Sequence, residues 1–190
     1  MEKYFIDATY ENVDYTALPL ALGEYEGCSF HNCNFSNSNL GKISFIDCTF
    51  NHCNISNAQL AEAIIRDVRF NHCKMMGLHF ETCSDFLFSA AFTQCTLNLS
   101  SFYQLKIKNT VFNDCSLHEI DFTDTDLTGA SFTNCDLKGA IFDNTLLEKA
   151  DMSTAYNYII DPDRNKIKRA KFSKEGLLGL LMKYNIVVRG

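Results

Sequence analysis

The sequence has no run approaching the roughly 18 consecutive apolar residues that a membrane span requires. Its opening, Met1-Glu2-Lys3-Tyr4-Phe5-Ile6-Asp7, lacks the basic-then-apolar layout of a signal peptide. No membrane association is therefore expected, and the cytoplasm is the predicted compartment. Basic residues are in deficit, with 17 Lys and Arg against 23 Asp and Glu for a net charge of -6. That balance excludes nonspecific nucleic-acid binding, which needs cations to displace condensed counterions. A phosphate-cradling glycine loop, a nucleophile elbow and an obvious carboxylate pair are all missing. No catalytic residue, metal or cofactor is expected, and the chain reads as a binding protein.

What is present is a core-forming composition and a fixed period. At 190 residues and 46% apolar, the chain buries a core of its own. Stepping by five from Phe30 meets Phe35, Leu40, Phe45, Phe50, Ile55, Leu60, Ile65, Phe70, Met75 and Phe80. A second run, offset by two residues, goes Phe92, Leu97, Phe102, Ile107, Phe112, Leu117, Phe122, Leu127, Phe132, Leu137, Phe142, Leu147 and Met152. All 24 positions are apolar where composition alone gives about 11. Helices repeat every 3.6 residues and strands every two, so a period of five means a short strand and a turn, repeated.

If each of these central positions, i, points inward, i-2 does so too, with less room. Small residues dominate there, and all nine cysteines (28, 33, 48, 53, 73, 83, 95, 115 and 135) fall in that column. An odd count fits a reducing compartment, and the column is read as core thiols. Asn51-His52-Cys53 and Asn71-His72-Cys73 suggest a metal site, but each His lies at i+2, facing solvent, while its Cys faces inward. A solvated histidine pair is the expected outcome.

The stretch Ala-Ser-Phe-Thr-Asn-Cys-Asp-Leu-Lys-Gly-Ala-Ile-Phe-Asp-Asn at 130–144 resembles the pentapeptide-repeat family, a likeness that spans about 28–152. The resemblance implies an all-β chain, a right-handed quadrilateral β-helix with one pentapeptide per side and twenty residues per coil. On that geometry Phe92, Phe112 and Phe132 share one face and Phe102, Phe122 and Phe142 the opposite one. Each buried Phe should contribute about 2 to 3 kcal/mol before entropy.

The expected organisation has three parts: a degenerate first coil or cap over 1–27, the β-helix over 28–156 with a two-residue slip near Ser84-Asp85, and a C-terminal turn, helix and strand over 157–190. The helix is placed after Ser173 as N-cap, with Glu175 in its first turn. Leu177, Leu178, Leu180, Leu181, Met182 and Tyr184 make it apolar nearly all round, and Ile186, Val187 and Val188 continue as an extended strip. Such a segment should be buried on more than one side, as a cap that also forms a two-fold dimer. In layout it resembles the dimerisation module of Qnr-type quinolone-resistance proteins and of immunity proteins against gyrase-targeting microcins.

Charge is unevenly spread. Residues 110–151 hold nine acids, Asp114, Glu119, Asp121, Asp124, Asp126, Asp136, Asp143, Glu148 and Asp151, against Lys138 and Lys149. Over two coils rising about 10 Å, that net of -7 is roughly 0.7 charge per Å, near the roughly 0.6 of duplex DNA. Residues 161–190 instead net +5. The resemblance implies a DNA mimic that binds DNA gyrase or topoisomerase IV and protects it from quinolones or toxins. A general interaction scaffold for another protein partner is the alternative.

Overall fold

The computed structural model describes residues 3–84 and 88–187. The short strands stack into a parallel four-sided solenoid of about eight turns, followed by one short C-terminal helix. The first face is a nine-stranded sheet built from Thr9–Glu11, Ser29–His31, Thr49–Asn51, Val68–Asn71, Ala90–Thr93, Val111–Asn113, Ser131–Thr133, Asp151–Met152 and Lys171–Phe172. A second sheet joins Tyr4–Ile6, Glu24–Glu26, Ser44–Ile46 and Ile64–Arg66. Elsewhere the coils are tied by single bridges such as Asp14 to Asn34 and Lys106 to Asp126.

Pairing joins residues 20 apart, as in Phe30 with Phe50 and Phe112 with Phe132. With one strand per coil, the nine-stranded face is roughly 38 Å tall. The ladder already begins at Tyr4, well before residue 28, because Phe5 pairs with Tyr25 and Tyr10 with Phe30. One coil departs from the rule: Phe70 pairs with Phe92, a step of 22. Ser84 still bonds back to Ala63, whereas Ser89 bonds to Ile65, so the two extra residues enter between Ser84 and Ser89. Asp85, one of the two residues expected at the slip, lies outside the described residues. Phe88 turns inward after the slip and meets Phe80 and Phe102 edge-on, at centroid distances of 6.0 and 6.4 Å.

Inside, the first-face rings form one continuous pile from Tyr10 through Phe30, Phe50, Phe70, Phe92 and Phe112 to Phe132, with centroids 4.6 to 5.4 Å apart. A second pile, Phe80, Phe102, Phe122 and Phe142, rises on the third face and meets the first edge-to-face. Offset stacking along a pile and T-shaped contact between piles are the two arrangements that aromatic quadrupoles favour. Above the slip Leu and Ile fill the other two sides, whereas below it Tyr15 and Phe35 stack on the second and Phe5, Tyr25 and Phe45 on the fourth.

The i-2 column has a chemical role besides packing. Cys53, Cys73, Cys95, Cys115 and Cys135 each aim Sγ at the carbonyl of the central residue one coil below, 3.3 to 3.5 Å away. Thr125 and Thr145 donate Oγ1–H to the same kind of carbonyl at 2.8 Å. The thiol is a weak donor, but in both cases a small donor meets the central carbonyl of the coil below. All nine thiols are free and buried, and burial pushes Cys48 and Cys83 up to about 12.

The ladder does not stop at 156: Asp151 pairs with Lys171 and Leu146 bridges Lys166, so 157–172 forms a further coil. Asn165 closes it from within, donating Nδ2–H to the Phe142 and Asp161 carbonyls and accepting the Thr145 N–H. The helix then spans only Leu177–Leu181 and is capped by Gly176, not Ser173. Ser173 Oγ accepts the Gly176 N–H one turn earlier, which leaves Glu175 outside the helix. Two glycines bring this helix onto Tyr158: a Cβ on Gly179 would lie 2.3 Å from the Tyr158 carbonyl oxygen, and one on Gly176 would overlap its hydroxyl. Ile160 donates its N–H to the Gly179 carbonyl, and Lys183 Nζ meets Asp161 and Asp163.

Two substitutions test this packing. Phe112→Ala should cost about 3 to 5 kcal/mol in chemical denaturation, because it empties the middle of the first pile; a loss under about 1 kcal/mol contradicts its place there. Gly179→Ala should cost about 1 to 3 kcal/mol by forcing the helix off Tyr158. An unchanged melting temperature would show that the helix does not sit on the last coil.

Candidate protein-binding surface

Inward pointing of i and i-2 leaves i-1, i+1 and i+2 for solvent, so each outer column is a ladder of side chains one coil apart. The i+2 corner takes a left-handed backbone, with φ of 52° at Asp114, 53° at Glu119 and 57° at Asp124. Asn, Asp and Gly tolerate that conformation best, which explains why this column is polar. The faces are numbered in chain order from the nine-stranded one. Asp114 and Asp151 belong to the first face, Glu119 and Asp136 to the second, Asp121, Asp124 and Asp143 to the third, and Asp126 and Glu148 to the fourth.

The nine acids are thus spread around the rod, and they are chemically unequal. Asp126 is buried, its carboxylate accepting the Thr128 N–H and hydroxyl and lying 3.2 Å from Lys108 Nζ. Asp136 lies 2.9 Å from His118 Nε2, Asp151 lies 2.9 Å from Lys171 Nζ, and Asp143 meets Arg164. Burial works to raise the Asp126 and Asp136 carboxyls, yet both are held below the ordinary value, Asp126 by Thr128 and Lys108 and Asp136 by Asn157 and His118. Asp151 is brought to about 2 by the Ser153 hydroxyl and Lys171. These four carboxylates hold turns and neighbouring coils together.

The other five, Asp114, Glu119, Asp121, Asp124 and Glu148, have no basic partner among the described residues. Four of them fall in one coil and wrap its first three faces. Among the described residues Asp121 accepts only the Thr123 N–H, whereas Asp124 is met by the Asn144 amide and Asp114 by those of Asn113 and Asn134. The nine do not act as one band: Asp126, Asp136 and Asp151 share with Asp121 the i-1 position whose acceptor meets the i+1 N–H, and what sets the paired acids apart is a base or His in a neighbouring coil, which sequence order does not display.

The C-terminal candidates are exposed rather than enclosed. Leu180 is buried and Leu181 half-buried, but Leu177, Leu178, Met182, Tyr184, Ile186 and Val187 are 46% to 84% exposed. The expectation of burial on several sides fails because a five-residue helix rests one edge on Tyr158 and turns the rest outward. Ile186 and Val187 form no strand, and Val188 lies outside the described residues.

The His52 and His72 rings stack outside the rod at 4.6 Å and 9°, while their neighbouring thiols point inward. No group of three or more His, Cys, Asp or Glu is placed to share an ion among the described residues, and no helix there is long and apolar enough to cross a membrane.

Comparison with known proteins adds the family. Full-length QnrB1, described as a plasmid-mediated fluoroquinolone resistance protein, aligns with 17% identity over 97% of this chain and 100% of its own, at a TM-score of 0.49. HetL, a pentapeptide repeat protein involved in heterocyst differentiation regulation from the cyanobacterium Nostoc, aligns with 13% identity over 88% of this chain and 86% of its own, at a TM-score of 0.43. No curated protein matches the sequence. The family model for the pentapeptide repeat region matches residues 24–85 and 74–152, well over half the sequence and most of the stretch that forms the coils, and the chain belongs to the pentapeptide repeat family.

Proposed function

We propose that this protein is a non-enzymatic, protein-binding rod whose acidic faces imitate duplex DNA. Its partner on this reading is a type II topoisomerase, DNA gyrase or topoisomerase IV, which it protects from inhibitors. The observation that carries the reading is the set of four carboxylates without a basic partner among the described residues, Asp114, Glu119, Asp121 and Asp124, wrapped around three sides of one coil. A groove shaped for DNA is lined with cations and recognises charge spacing on a stiff cylinder, which this coil offers without a flexible loop. The rod is filled by its aromatic piles, leaving little interior for a substrate.

The four ion-paired acids support a second reading, a scaffold for another protein, because pairing lowers the charge available to a DNA-binding groove. On either reading, the exposed Leu177, Leu178 and Met182 supply a two-fold contact between copies.

A gyrase supercoiling assay with and without a quinolone tests the first reading. The protein should shift inhibition, and combined Asp114→Asn, Glu119→Gln, Asp121→Asn and Asp124→Asn should remove at least about tenfold of that potency with stability within about 0.5 kcal/mol of the parent. If excess parent protein changes neither supercoiling nor inhibition, the scaffold reading stands instead. Light scattering tests the pairing: Leu178→Glu with Met182→Glu should halve the mass in solution, and an unchanged mass removes this surface as the contact.

A further inference from the structure

The fourth face of the upper coils has the opposite sign from the other three. It is the side whose core residues are Ile107, Leu127, Leu147 and Ile167, and its i-1 ladder runs Lys106, Asp126, Leu146, Lys166. Beside that ladder the i+1 positions are Lys108, Thr128, Glu148 and Lys168, tied by the bonds of Gly129 to Glu148 and of Lys149 to Lys168. The corner column adds Lys149 and Arg169, at φ of 60° and 62°. Six bases therefore face two acids, Asp126 and Glu148. Asp126 is buried and already matched to Lys108. Lys149, Lys166, Lys168 and Arg169 are exposed and have no acidic partner within ion-pair distance among the described residues. Thr128, Glu148, Lys149, Lys168 and Arg169 line a shallow cleft of about 320 Å³.

We infer that this face is a second binding surface, separate from the acidic faces, that takes a short acidic segment of a partner protein. Charge repulsion among uncompensated lysines and arginine on a rigid wall is relieved by an anionic ligand, and the ladder makes that wall flat and regular. The size of the ligand follows from screening. At physiological salt the Debye length is about 8 Å, less than the width of the rod, so a short segment senses mainly the face it touches. A duplex or a vesicle surface extends past the edges and meets the acids of the neighbouring first and third faces within a molecule of net charge -6. No exposed aromatic ring stands among these bases to stack a nucleobase, which separates the face from a single-strand nucleic-acid groove. Carboxylates on alternate residues of an extended segment lie roughly 6.6 Å apart, and the bases at i-1 and i+1 of a strand have the same two-residue spacing.

The test is fluorescence anisotropy of a labelled octa-glutamate peptide against the full chain, with a short DNA duplex and anionic phospholipid vesicles as competing probes. Saturable binding of the peptide is expected, weakened at least about tenfold by combined Lys149→Glu, Lys168→Glu and Arg169→Glu and by a shift from low to high salt. The four-carboxylate variant of the acidic faces should bind the peptide at least as well as the parent, which separates this surface from the topoisomerase reading. All three reversed positions are exposed, so the melting temperature should hold. Absence of saturable peptide binding, equal binding by the reversed variant, or tighter binding of the duplex or the vesicles would each overturn the inference.

Discussion

A twenty-residue step between hydrogen-bonded neighbours governs nearly everything else in this molecule. Each strand exchanges hydrogen bonds with the coils on both sides, as where Thr49 donates to Cys28 below and His52 to Asn71 above, so a residue's position in the chain determines its face and its vertical neighbours. Once Phe92, Phe112 and Phe132 share a ladder position, their rings have to pile, and the donors two places earlier meet the carbonyl one coil below. Where two residues are added between Ser84 and Ser89, the ladder absorbs them in one coil and the ring pile continues from Phe70 to Phe92 without interruption. The step of twenty survives because the inter-coil hydrogen bonds above the insertion all depend on it.

Much of this was legible from spacing alone. Periodicity of five located the core residues, placed the cysteines inside and found the slip, because inward positions must be apolar or small and little else satisfies them. Outward positions carry no such constraint, so their chemistry was harder to read. Asp126 and Asp136 look in sequence like any surface acid; only the register shows that Lys108 and His118 lie beside them. The basic face was hidden for the same reason, since its members are scattered from Lys106 to Arg169 and gather only when the chain is wound.

The C-terminal segment shows the opposite failure. Its apolar composition suggested enclosure, but a helix of five residues has room for little more than one contact, and Gly176 and Gly179 dedicate that contact to Tyr158. The turn residues also mattered more than their apolar neighbours: Asp161 and Asp163 hold Lys183 against the final coil, and Asn165 satisfies three backbone groups under it. Polar side chains therefore finish this end of the rod, leaving apolar ones on the outside.

Because each side of the coil is one pentapeptide long, the rod behaves like a stack of dials. Gain or loss of a whole coil moves a surface feature along the axis and leaves its compass bearing alone. A five-residue insertion or deletion would instead turn everything above it by a quarter revolution, carrying the three acidic sides and the basic one to new bearings and setting the Phe columns above the break over the Leu and Ile columns below it. The arrangement of surface charge in such a chain can thus be re-aimed by a change in length, with no surface residue replaced.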